Sequence, residues 1–137
     1  MAAQAGYSGT PLPRKLGIKA EHRVLMVDAP DGFELDPLPA GVVLHRRPSG
    51  RDPYDVILAF CPDLATLERR YDTLRKRLDT AGGLWIAWPK KSSGVATDLS
   101  DDVVREYGLA TGMVDNKVCA VDQTWSGQRF VVRLADR

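Results

Sequence analysis

Three short apolar runs constrain this chain more than any other feature: Arg23-Val24-Leu25-Met26-Val27, Asp55-Val56-Ile57-Leu58-Ala59-Phe60 and Leu84-Trp85-Ile86-Ala87-Trp88. The first is nearly continuous rather than alternating, which suits a central strand covered on both faces. Between the second and third, Leu64, Leu67, Tyr71, Leu74 and Leu78 recur at spacings of three and four, so they share one stripe of a helix. Asp63 is placed to cap its start, while Arg75, Lys76 and Arg77 suit the negative end of its dipole. Gly82-Gly83 is the predicted stop. Strand, helix and strand in that order form a parallel βαβ unit.

The remaining segments extend the same pattern. Thr10 offers an N-cap with Pro11 at the first helical position, and Gly17 ends a helix of one or two turns. After the first strand, Ala29-Pro30-Asp31-Gly32 turns the chain, and Pro37 and Pro39 leave room for only a short helix. Val42-Val43-Leu44 is the second strand, closed by His45-Arg46-Arg47-Pro48. Ser100 starts another helix, with Val103, Val104 and Tyr107 toward the core. Residues 117–121 and 129–134 read as two final strands joined by a loop that contains Trp125. The expected fold is α/β: a small three-layer Rossmann-like sheet of about six mostly parallel strands, ordered 2-1-3-4-6-5, with a C-terminal antiparallel hairpin. Residues 10–137 form one domain in this reading, preceded by a flexible N-terminal segment, residues 1–9.

Composition narrows the function classes. A net charge of +1 gives no global pull toward nucleic acid or a membrane. The N-terminus lacks a basic region followed by an apolar run, and no stretch has the roughly 20 apolar residues of a membrane span. Cys61 and Cys119 sit in or beside apolar runs and belong to no Cys/His spacing, so they read as buried thiols in a reducing cytoplasm rather than metal ligands. No Ser/His/Asp or Cys/His constellation can be assembled, and His22 stands at the wrong end of the first strand for the expected site.

In its order of elements the chain resembles the class I S-adenosylmethionine methyltransferases. The likeness is best from Asp55-Val56-Ile57-Leu58-Ala59-Phe60 through Gly82-Gly83-Leu84-Trp85-Ile86-Ala87 to Gly112-Met113-Val114. That resemblance implies a cofactor site at the carboxyl ends of the first strands, gripped by a glycine-rich loop and by an acid after the second strand. Here the loop is Asp28-Ala29-Pro30-Asp31-Gly32, with one glycine, and the acid's place reads His45-Arg46-Arg47. One strand–helix unit is also missing between the second and third strands. A second likeness covers nearly the whole chain. Gly6-Tyr7-Ser8-Gly9-Thr10-Pro11-Leu12, the run from Trp88-Pro89-Lys90-Lys91 to Thr97-Asp98, Lys117-Val118-Cys119-Ala120-Val121-Asp122 and Thr124-Trp125-Ser126-Gly127 are similar to the bacterial domain-of-unknown-function family 3052. It implies no particular activity.

Ligands of such sheets collect beyond the carboxyl ends of the strands. Lys90, Lys91, Ser92, Ser93 and Gly94 could bind an anion with two ammonium groups, hydroxyls and backbone N–H donors, although Asp98, Asp101 and Asp102 oppose it. Trp88 could line the same pocket, and Trp125 could make contacts from the hairpin. Asp28 and Asp31 could act as an acid–base pair or simply shape a turn. His45, Arg46, Arg47 and Arg51 form the densest basic group outside the helix. With the cofactor grip altered, the leading expectation is a non-catalytic binding or regulatory protein that takes a small anionic ligand or a protein partner. The alternatives are a small enzyme acting on an anionic or nucleotide-like ligand, and a self-associating subunit that uses the hairpin edge and Trp125. No cofactor is specified.

Overall fold

The computed structural model describes residues 9–137, so the expected flexible start up to Ser8, including Gly6, Tyr7 and Ser8 of the family likeness, lies outside the described residues. Six strands form one sheet: β1 (Arg23–Val27), β2 (Val43–His45), β3 (Tyr54–Phe60), β4 (Leu78–Pro89), β5 (Met113–Ala120) and β6 (Trp125–Val132). Their order is β2-β1-β3-β4-β6-β5, as the sequence led us to expect. The pairs β1–β2, β1–β3 and β3–β4 are parallel, and β6 runs antiparallel to both β4 and β5.

Alternation along the strands sorts two cores. Leu25, Val27, Ile57, Ala59, Leu84, Ile86 and Trp88 face α2 (Leu64–Arg77) and α3 (Asp101–Ala110). Val24, Met26, Val56, Leu58, Phe60, Trp85 and Ala87 face the other way, toward Leu16, Ile18 and Leu35. Trp85 and Trp88 therefore point to opposite faces, as an odd spacing requires. The second face has little regular structure to cover it: α1 (Leu12–Lys15) is four residues long, and the chain between β1 and β2 is irregular. Trp85, 1% exposed, ties this cover down, its indole Nε1–H donating to the Leu16 carbonyl at 3.0 Å.

Several local expectations are corrected. Thr10 does not cap α1; Pro11 holds the N-cap position, and its carbonyl accepts the Arg14 and Lys15 N–H groups. No helix forms around Pro37 and Pro39, where the Asp36–Pro37 bond is cis. The long helix ends at Arg77, not at Gly82-Gly83, and Leu78 turns extended to pair with Tyr54. Arg77 explains the early stop: its guanidinium lies 5.3 Å from the Tyr54 ring centroid and donates to the Ser49 and Gly50 carbonyls. The glycines serve close approach in β4 instead, since a Cβ on Gly82 would lie 2.6 Å from the Asp55 carbonyl oxygen. The final hairpin is also tighter than expected. Asp122 Oδ1 accepts the N–H groups of both Thr124 and Trp125 at 2.8 Å, so Trp125 begins β6 rather than sitting in a loop.

Two of the three caps read from sequence are present. Asp63 accepts from Thr66 N–H on α2, and Ser100 accepts from Val103 N–H on α3. Two stability outcomes follow from the packing. Trp85→Phe leaves the Leu16 carbonyl unpaired inside the core and should lower unfolding free energy by about 1–3 kcal/mol in urea denaturation. Gly108→Ala should destabilise by about 1–3 kcal/mol, opposite in sign to the usual helix preference for alanine. Its Cβ would press within 2.5 Å of Phe130 Cδ1, and that ring is 1% exposed.

Candidate functional site

The carboxyl ends of β1, β3 and β4 meet on one rim, and the chain fills much of it with its own groups. Immediately after β1, Asp28 adopts φ +59° and accepts two hydrogen bonds from Arg70 of α2, at 2.9 and 3.0 Å. Bidentate geometry of this kind fixes both side chains more firmly than an ordinary surface pair. Phe33 folds back onto Phe60 edge-to-face at 4.9 Å, and Trp125 reaches the same ring at 5.1 Å. The N-terminus of α2, where an anionic group could otherwise sit, is doubly capped: Asp63 takes Thr66 N–H, and Asp98 takes Leu64 N–H at 2.9 Å. Hydrogen bonds from Thr66 hold the exposed Asp63 carboxyl below its usual range.

Cys61, at the end of β3, is fully buried. Burial, and then the Asp28 charge, push its thiol from the ordinary 9.0 to about 12. Cys119 is raised as well, by burial. Neither thiol is poised as a nucleophile. Among the described residues, no group of three or more His, Cys, Asp or Glu is placed to hold a metal ion.

Beyond β4 the rim opens. A cleft of about 710 Å³ lies on the α2/α3 side of the sheet, with Trp88, Leu99 and Val118 as apolar walls and Lys90, Lys91 and Ser126 at its polar edge. Its geometry follows from local chemistry. Pro89 ends β4, Lys90 N–H is tied to the Thr124 carbonyl at 2.8 Å, and residues Lys91–Ser93 make a single 3-10 turn closed by Gly94 at φ +78°. Ser93 Oγ donates to the Lys90 carbonyl at 2.6 Å and accepts Val95 N–H, while Ser92 is exposed. Thr97 then staples the segment to the β3–α2 turn through the Pro62 carbonyl at 2.7 Å. Of the three acids that opposed an anion here, Asp98 caps α2, whereas Asp101 lines the cleft itself, its Oδ1 accepting Asp102 N–H at 3.0 Å. Val95 and Val118 are 49% and 61% exposed, an apolar lip that water does not favour.

The structure does not bring the other nominated residues to this cleft. Asp31 lines a separate hollow of about 390 Å³ with Phe33, Glu34 and Asp122, and Asp28 borders a third with Arg70 and Trp125. The basic group disperses: His45 Nδ1 is 2.6 Å from the Tyr54 hydroxyl, Arg46 pairs with Glu34 at 3.7 Å, and Arg47 and Arg51 are exposed. Sequence reasoning missed Thr97, Leu99, Val118 and Ser126. The strand alternation in β5 and β6 carries the signal for the last two, because Val118 and Ser126 fall on the same sheet face as Trp88.

No protein-family model matches the chain, and no curated protein matches its sequence. Solved structures do match. DhpI, in a complex with SAH, superposes with a TM-score of 0.62 at 12% identity, covering 90% of this chain and 83% of that one. A SAM dependent methyltransferase from Aquifex aeolicus gives 0.58 at 16% identity, over 88% of this chain and 87% of the other. The N-methyltransferase NodS from Bradyrhizobium japonicum gives 0.55 at 13%, over 90% and 98%. The fold is methyltransferase-like. On this scaffold the loop after β1 holds a salt bridge and an aromatic contact, with one glycine, Gly32, at φ +81°.

The thiol environment gives a direct test. At pH 8, Cys61 should react with iodoacetamide at least about a hundredfold more slowly than a free cysteine peptide, with full reactivity restored by denaturant. A raised folded-state pKa also means that Cys61 contributes stability fully present below the unfolded thiol pKa and lost as pH climbs toward about 12. The thermal midpoint of the wild type should therefore fall through that window, more steeply than that of Cys61→Ala.

Proposed function

We propose that this protein is a non-catalytic binding or regulatory protein built on a methyltransferase-like scaffold, and that the cleft beyond β4 is where it binds. The observation that carries this reading is the division of the rim. The ground after β1 is occupied by the Asp28–Arg70 pair and the Phe33–Phe60 contact, whereas the space beside Trp88 is open. A cleft with an apolar floor and lysines at its mouth suits a ligand with an apolar body and an anionic end. Separation of the lysines from Asp28 and Asp31, which line other hollows, supports binding over acid–base chemistry.

Residues 10–137 act as one domain in this reading, and the free thiols suit a cytoplasmic setting. Membership of the bacterial family 3052 is part of the same proposal, supported by the segments around Trp88, Lys117 and Trp125. Among the described residues, no helix is long and apolar enough to cross a membrane.

A thermal-shift comparison tests it. A ligand present at a hundred times its dissociation constant stabilises by roughly 2.7 kcal/mol, which moves the midpoint by several degrees. S-adenosylmethionine should leave the midpoint unmoved. Amphipathic carboxylates and phosphates should raise it in the wild type and lose at least half the shift in Lys90→Ala/Lys91→Ala. Binding of S-adenosylmethionine with methyl transfer to any acceptor would refute the proposal.

A further inference from the structure

The opposite end of the sheet holds a second concavity, of about 290 Å³, on the α1 side and at the amino ends of the strands. Lys15, Lys19, His22, Lys117 and Arg129 line it. The carboxylate among its described lining residues is Asp55, whose Oδ2 already accepts Arg23 N–H at 2.8 Å.

Three features set this cluster apart from a solvated charged surface. First, Lys117 and Arg129 are direct cross-strand partners on β5 and β6, and Arg129 also stands opposite Trp85, so both cations share the α1 face. Like charges in that relation repel. Second, the ion pairs among the described residues are Arg46–Glu34, Arg70–Asp28 and Arg105–Asp115, and none reaches Lys19, Lys117 or Arg129. Third, Arg129 is half-buried in a seat made for it. Its guanidinium lies across Gly83, where a Cβ would come 2.8 Å from Cζ and Nη2 and closer still to Nε.

Burial, and then the neighbouring Arg137, lower the Arg129 pKa. His22 adds a donor: Nδ1 accepts Lys19 N–H at 3.1 Å, so the neutral ring carries its proton on Nε2.

We propose that this concavity is a binding site for a compact phosphate-bearing anion of pyrophosphate type, with Lys117 and Arg129 as its principal ligands. Arg129 presents the planar fork that matches phosphate oxygens, and Lys117 supplies a point charge beside it. The hollow lies at the small end of the range for ligand pockets, which suits a pyrophosphate group rather than a larger body. The site is separate from the cleft beyond β4, which opens on the other face and at the other end of β4.

Isothermal titration calorimetry with inorganic pyrophosphate decides the matter. Wild-type protein should bind it, with affinity falling as salt rises. Lys117→Gln, an exposed position that leaves the core intact, should weaken binding at least tenfold, and Lys19→Gln severalfold. Lys91→Ala should leave it unchanged, which separates this site from the rim cleft. Without anion, Lys117→Gln should raise the thermal midpoint by relieving repulsion, and saturating pyrophosphate should erase that difference. Absence of binding at millimolar pyrophosphate, equal affinity in wild type and Lys117→Gln, or loss of affinity in Lys91→Ala would overturn the proposal.

Discussion

A parallel sheet must be covered on both faces, and the described residues do so unequally. α2 and α3 cover one side; the other is left to four residues of α1 and an irregular, proline-containing connection. Trp85 makes that thin layer workable. It is the largest of the fully buried side chains, and its N–H satisfies the carbonyl at the end of α1. That single bond sets the height of α1 over β4 and joins segments 69 residues apart. Gly127 belongs to the same arrangement, because a Cβ there would lie 3.3 Å from Trp85 Cε3. With the indole seated, Leu16 and Ile18 close the second core, and Lys15 and Lys19 are carried to the amino end of the sheet.

Compression of the cover also shapes the rim. With no helix between β1 and β2, the connecting chain returns across the strand ends, and Phe33 finds its apolar partner in Phe60. Arg70 and Asp28 close the same space by charge. Each helix start near the rim is satisfied by a side chain of the protein itself: Asp63 and Asp98 on α2, Ser100 on α3. Helix N-termini are a ready source of anion affinity, and here their N–H groups are taken up internally. Lys90 and Lys91 are the groups left at the open part of the rim.

The order of the sheet was legible because its signals are local and periodic. The Leu64–Leu67–Tyr71–Leu74 stripe, the continuous β1 run and the caps at Asp63 and Ser100 each depend on near neighbours, and the sheet order followed from them. Misreadings arose where a distant group overrides local chemistry. Gly82-Gly83 resembles a helix stop, yet its glycines make room for the Asp55 carbonyl and the Arg129 guanidinium, 27 and 46 positions away, so β4 begins earlier than propensity suggests. Asp28 resembles a free turn aspartate, and Arg70 claims it from 42 residues downstream. The loop after Trp88 was readable as a polar edge, but its far wall at Val118 and Ser126 required the register of two later strands.

A net charge of +1 conceals an uneven distribution that only the register reveals. Acids concentrate at the carboxyl ends of the strands, where Asp28, Asp31, Glu34, Asp36 and Asp122 surround two adjoining hollows. Cations gather at the amino ends through residues that no sequence motif links: Lys19 and His22 come from the first quarter of the chain, Lys117 and Arg129 from the last. Two adjacent strands could have placed an acid opposite either cation at no steric expense. Instead Lys117 stands opposite Arg129, and β4 keeps a glycine beneath the guanidinium. Retained local conflict of this kind marks positions whose chemistry is answered by something other than the fold. The amino end of the sheet therefore has as strong a claim to function as the rim that its methyltransferase-like topology would single out.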